Sequence, residues 1–118
     1  MAVENEGPTG DEKYEERLTY FLGLLSSENP GDRWRAIEVL ARTGDERAID
    51  PLIAALKDED WRVRQKAAWA LGYLGDPRAL TPLRRALGDR REGVDDMIYE
   101  ALDRIKAKMA EALREQGS

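Results

Sequence analysis

The sequence predicts an all-α fold: a short α-solenoid, or alpha-alpha superhelix, of three two-helix repeats with a 31-residue period. Three observations carry that prediction. The stretch "GDERAIDPLIAALKD" at residues 44–58 returns at 75–89 as "GDPRALTPLRRALGD", with nine of fifteen residues identical. Apolar residues recur at helical spacing, as Ile49, Leu52, Ile53 and Leu56 and then Val63, Ala67, Ala70, Leu71 and Leu74. The same register runs on without an insertion: Leu18, Phe21, Leu22 and Leu25 stand 31 residues before Ile49, Leu52, Ile53 and Leu56, and Leu40, Leu71 and Leu102 share one position.

The elements follow in order. Residues 1–10 are expected to be a flexible acidic leader, with Glu4 and Glu6 beside Gly7, Pro8 and Gly10. Residues 11–118 form a single domain with repeats at about 14–44, 45–75 and 76–106, followed by a C-terminal helix extension over 107–116. Asp45-Glu46 and Asp76-Pro77 read as helix starts, with an aspartate able to cap and a proline suited to the first turn. Gly44 and Gly75 supply the left-handed residue that ends the preceding helices. Pro51 and Pro82 sit about one turn inside and predict a late or bent start. At the third such end Lys106 replaces the glycine, so one long final helix is expected, with Ile98, Leu102, Ile105, Met109 and Leu113 along one stripe.

Composition narrows the chemistry. There is no cysteine and no histidine, which removes disulfides, thiolate nucleophiles, imidazole acid-base catalysis and Cys/His zinc sites. No apolar run is long enough to span a bilayer. The N-terminus is acidic where a secretory signal is basic and then apolar, so a cytoplasmic protein is expected. The net charge of -5 resides in residues 1–16, and the rest is neutral in sum. Cofactors are expected to be none, and the protein is expected not to be an enzyme. Glu38 and Glu100 share a repeat position, but on an acid-rich helical surface solvated glutamates explain them.

Residues 45–75, "DERAIDPLIAALKDEDWRVRQKAAWALGYLG", resemble the HEAT-like repeats of the phycobilisome-lyase type, and are similar to the consensus of artificial binding scaffolds built from such repeats. The resemblance is strong over 44–89, fair over 18–43 and weak beyond 90. It implies a charged ladder in which an aspartate in the turn and an arginine six residues later join successive repeats. Asp58 and Arg64 supply the full pair, Ser27 stands with Arg33 and Asp89 with Asp95. Arg33 is therefore expected to reach Asp58, and Arg64 to reach Asp89, with the ladder ending on both sides. Relatives of this architecture include iron-dependent hydroxylases, which need histidine-glutamate pairs, and larger bilin lyases and DNA glycosylases. An accessory subunit of a modifying enzyme, lyase-like, is thus an alternative reading.

Binding is the leading functional expectation. At 100° per residue Trp69 lies about 160° from Ala67, the centre of its helix's apolar face, and so points away from the core. Gln65, Trp61 and Tyr73 lie beside it, a row that the resemblance places on the concave wall of the stack. Trp34, Glu38 and Arg42 hold the corresponding positions in the first repeat, and Asp96, Glu100 and Arg104 in the last. An exposed tryptophan is a favoured interface anchor, so this wall is expected to bind a protein or peptide, with its centre in the middle repeat. A homodimer through Met109 and Leu113, or a structural role by self-association, is the alternative. Arg84, Arg85, Arg90 and Arg91, near Arg78, form the densest basic stretch, and a nucleic-acid contact there ranks lower. No membrane contact is expected.

Overall fold

The computed structural model describes residues 10–117. Among the described residues six α-helices run in order: α1 (Gly10–Leu24), α2 (Pro30–Thr43), α3 (Ile49–Ala54), α4 (Trp61–Leu74), α5 (Leu80–Arg85) and α6 (Glu92–Gln116). They make two layers. The second helices α2, α4 and α6 lie side by side with α4 between the other two, and α1, α3 and α5 each back their own second helix. This is the solenoid that the period predicts.

Local chemistry sets the boundaries. The Asn29 side chain accepts a hydrogen bond of 2.7 Å from the Gly31 amide to cap α2, and Asp60 accepts one of 2.8 Å from Arg62 to cap α4. Gly44 and Gly75 stop these helices with φ of 67° and 70°, which a side chain would resist. The first helices of the second and third repeats begin as 3-10 turns, Glu46–Ala48 and Pro77–Ala79, capped by Asp45 and Asp76. Regular α geometry starts only at Ile49 and Leu80, because Pro51 and Pro82 offer no N–H to a carbonyl one turn back. The first repeat has no such proline, and α1 is one unbroken helix of 15 residues. Residues 1–9 of the expected leader lie outside the described residues. Its tenth, Gly10, opens α1 instead, where Asp11 and Glu12 in the first turn favour the helix dipole.

No repeat can bury its apolar faces alone, so the core is shared. Ile37 and Leu40 of α2, Val63 and Leu71 of α4 and Ile98 of α6 are at most 1% exposed, and Leu52 and Leu83 close the other layer at 0%. Between α4 and α6 the backbones nearly touch: a methyl at Gly72 would stand 2.8 Å from the Ala101 Cα, so only glycine fits there.

The repeats are also pinned by charge. The Arg33 guanidinium donates to both Asp58 oxygens, at 2.8 and 2.9 Å, and Arg64 to both Asp89 oxygens, at 2.6 and 3.0 Å. These are the two expected rungs. Each arginine spends its remaining nitrogen on the preceding turn, Arg33 on the Ser27 carbonyl and Arg64 on those of Asp58 and Glu59. Each aspartate in turn accepts a backbone N–H, Asp58 from Asp60 and Asp89 from Arg91. At the far end Asp95 holds the arginine position and accepts from the Gly88 and Asp89 amides, closing the loop on itself. At the near end Ser27 donates to Asp32.

The long final helix is present, with 25 residues in α6. Ile105 is its last buried side chain, whereas Met109 is 37% and Leu113 66% exposed. The extension does not fold back over the last repeat. Its tether is Lys108, whose ammonium donates to the Leu74 carbonyl at 3.0 Å. No helix among the described residues is long and apolar enough to cross a membrane.

Two predictions follow from this architecture. Leu71→Ala is expected to cost about 2 to 5 kcal/mol in urea unfolding, whereas the exposed Leu113→Ala stays within about 0.5 kcal/mol; similar costs would contradict the shared core. The second concerns acid. Arg64 holds the Asp89 carboxyl below its ordinary value of 3.8. A carboxyl lowered by folding stabilises the native state fully above its unfolded value, and that contribution is lost as the pH falls through the folded-state value. Melting temperature should therefore drop below about pH 4, and Asp89→Asn, less stable at neutral pH, should show a shallower drop.

Candidate partner-binding wall

The outer faces of α2, α4 and α6 form one wall. On α4 the residues Trp61, Gln65, Trp69 and Tyr73 recur at every fourth position and line up along it. The helix rotation that buries Ala67 and Leu71 sets this row on the opposite side.

Trp69 departs from its expected position in solvent. It is half-buried and packs on the core, lying flat over its neighbours. Tyr73 stacks on it with ring centroids 5.3 Å apart, the Lys66 ammonium stands 4.0 Å from the ring centre and the Arg42 guanidinium 5.7 Å. The wheel counted only α4's own core and left out what the adjacent α2 lays across an indole that broad. Trp61 is likewise half-buried, with the Arg91 guanidinium 5.1 Å from its ring. The exposed aromatics of the row are Trp34 at 40% and Tyr73 at 46%.

Lys66 organises this site, and sequence reasoning missed it. Its ammonium stands between two indoles, 4.2 Å from Trp34 and 4.0 Å from Trp69, and binds Glu38 at 2.5 Å. The attraction of a cation for both π faces holds α2 against α4 from outside, as the apolar core does from inside. Glu38 also accepts two hydrogen bonds from Arg42, at 2.9 and 3.1 Å. Lys66 and Arg42, in that order, hold the Glu38 carboxyl below the usual carboxylate range. The signal was in the repeat register: Arg35, Lys66 and Met97 share one position, each flanking the row.

The last repeat presents its expected residues to solvent. The side chains of Asp96, Glu100 and Arg104 are exposed and make no hydrogen bond, ion pair or ring contact among the described residues. From α6 it is Gly93 and Met97 that reach the row. Gln65 donates to the Gly93 carbonyl at 3.1 Å, and Met97 lines a shallow depression of about 250 Å³ with Trp34, Gln65, Lys66 and Trp69. A second, of about 510 Å³, adjoins it across Trp34 and Gln65 and is walled by Asn29, Arg35, Asp60 and Arg62. The open ground thus lies on the seam between α2 and α4. The basic stretch is partly engaged elsewhere, with Arg78 on Asp76 at 2.9 Å and Arg91 over Trp61, while Arg84, Arg85 and Arg90 are exposed.

Residues 20–103 match the family model of HEAT repeats. No curated protein matches the chain.

Replacing Lys66 by methionine keeps the stem but removes the cation. Lys66→Met is expected to cost about 1 to 2 kcal/mol and to change tryptophan emission as Trp34 and Trp69 lose their shared partner; an unchanged spectrum would show that the ammonium does not join them.

Proposed function

The chain belongs to the HEAT-repeat family, whose stacks commonly serve as protein-interaction scaffolds, and from this premise we propose that it is a non-catalytic scaffold that binds a protein or peptide segment through the concave face of its second helices. The observation that carries the reading is the seam between α2 and α4. There Trp34, held by Lys66 yet still open to solvent, stands between two adjoining depressions. A rigid aromatic side chain pre-set by its neighbours loses little conformational freedom on binding, which suits it as an anchor. Gln65, Trp69 and Tyr73 extend the contact along α4, and Glu38 and Arg42 along α2. Trp61, Asp96, Glu100 and Arg104 belong to its outer rim in this proposal. HEAT-repeat proteins are generally scaffolds rather than catalysts.

The test uses peptides selected from a display library against the folded chain. They are expected to protect backbone amides of α2 and α4 from hydrogen exchange, and to bind Trp34→Ala more weakly by about 2 kcal/mol or more. Helical content of that variant should be unchanged, because Trp34 is not part of the core. Trp69→Ala is the poorer test, since it also removes half-buried packing. Retained affinity in Trp34→Ala together with its loss in Arg90→Ala would place binding on the basic stretch instead.

A further inference from the structure

The charge balance of the seam names a class of partner. Four cations border it, Arg35, Arg42, Arg62 and Lys66, against two carboxylates, Glu38 and Asp60. Both carboxylates are already engaged: Glu38 serves Lys66 and Arg42 together, and Asp60 binds Arg62 at 2.9 Å while capping α4. The Arg35 side chain is exposed and makes no hydrogen bond or ion pair among the described residues. The reason lies in the repeat register. Lys66, its counterpart, finds Glu38 on the preceding second helix, whereas among the described residues no second helix precedes α2 to offer a carboxylate.

Resting on the wall reading above, we infer that the seam between α2 and α4 takes a short acidic peptide segment, its carboxylates answering Arg35 and the surplus charge beside it and its apolar side chains lying on Trp34. A carboxylate approaching Arg35 meets a cation that gives up no internal partner, and the planar guanidinium offers it a two-point contact. On the seam itself an incoming lysine or arginine would instead face four cations and only carboxylates already engaged, the free ones, Asp96 and Glu100, standing at the rim on α6. The adjoining hollows of about 510 and 250 Å³ accept side chains rather than a whole ligand. α2 has 14 residues, a length of about 21 Å that an extended segment covers with about six or seven residues.

The experiment titrates the full chain with three fluorescein-labelled probes at low and physiological salt. They are a library of about eight-residue peptides fixed at glutamate in alternate positions and varied among apolar residues in the others, the same library with lysine for glutamate, and a single-stranded oligothymidylate. The acidic library should bind, more weakly as salt rises, and Arg35→Glu and Trp34→Ala should each weaken it by about tenfold or more. Arg90→Glu should leave it unchanged, and circular dichroism should show all three variants folded. Equal or better binding of the lysine library, displacement of the acidic peptides by oligothymidylate, or no binding of the acidic library overturns the proposal. Lysine peptides that bind and are lost in Trp34→Ala would retain the wall while rejecting its acidic specificity. Acidic peptides indifferent to both Trp34→Ala and Arg35→Glu would reject the specificity and the wall together.

Discussion

The guanidinium forks that join successive repeats are the contact on which the remaining geometry depends. A stack of amphipathic helix pairs held only by apolar contact tolerates sliding, because burial is nearly indifferent to small changes of register. Two parallel N–H donors meeting two carboxylate oxygens are not indifferent. Arg33 and Arg64 each cross 25 residues of sequence to make that contact, and each also binds carbonyls of the turn behind it. Each arginine thus ties three things at once: its own helix, the preceding turn and the following repeat. Arg33 is only 7% exposed, so breaking its rung would leave a nearly buried charge without a carboxylate, a costly state. The same forks set how α2 and α4 face one another, and therefore whether Lys66 finds itself between Trp34 and Trp69.

The wall is then best seen as the outside of a seam whose inside is the core. Inward, α4 presents alanines and Leu71, small enough for the neighbouring backbones to come close, down to Gly72 against Ala101. Outward the same closeness brings long and broad side chains within reach of one another. Indoles, a lysine stem and an arginine cover the junction, and their charged ends remain near water. Trp69 serves both purposes, packing on the core with one part and stacking on Tyr73 with another.

Most of the architecture was legible in the sequence because its determinants are periodic. Leu40, Leu71 and Leu102 repeat at one spacing, and Gly44 and Gly75 mark where a helix must stop. The two rungs were legible through the family resemblance, which implies that an arginine in one repeat meets the turn aspartate of the next. The wall was only partly so. A helical wheel assigns each side chain an angle on its own helix but says nothing of how far a neighbouring helix reaches, and this is why Trp69 looked open and Lys66 went unnoticed. The contacts of the last repeat were hidden for a related reason. Position equivalence put Asp96, Glu100 and Arg104 beside the wall, where they are exposed on α6, and it did not announce that Gly93 and Met97 reach the row. Residues beyond Lys106 obey no repeat at all, and only the absence of a stop glycine announced the length of α6.

The middle repeat differs from its neighbours in carrying both halves of the linkage, an aspartate that receives and an arginine that gives. Residues 45–75 are therefore compatible with copies of themselves: a second such unit inserted after the first would present Asp58 chemistry to the Arg64 behind it and Arg64 chemistry to the Asp89 ahead. The outer repeats lack this property, since Ser27 cannot receive a guanidinium as an aspartate does and Asp95 turns back on its own loop. In such a molecule the fold itself sets no number of units, and a further middle unit placed between the outer repeats would lengthen the wall by one helix without redesigning either of them.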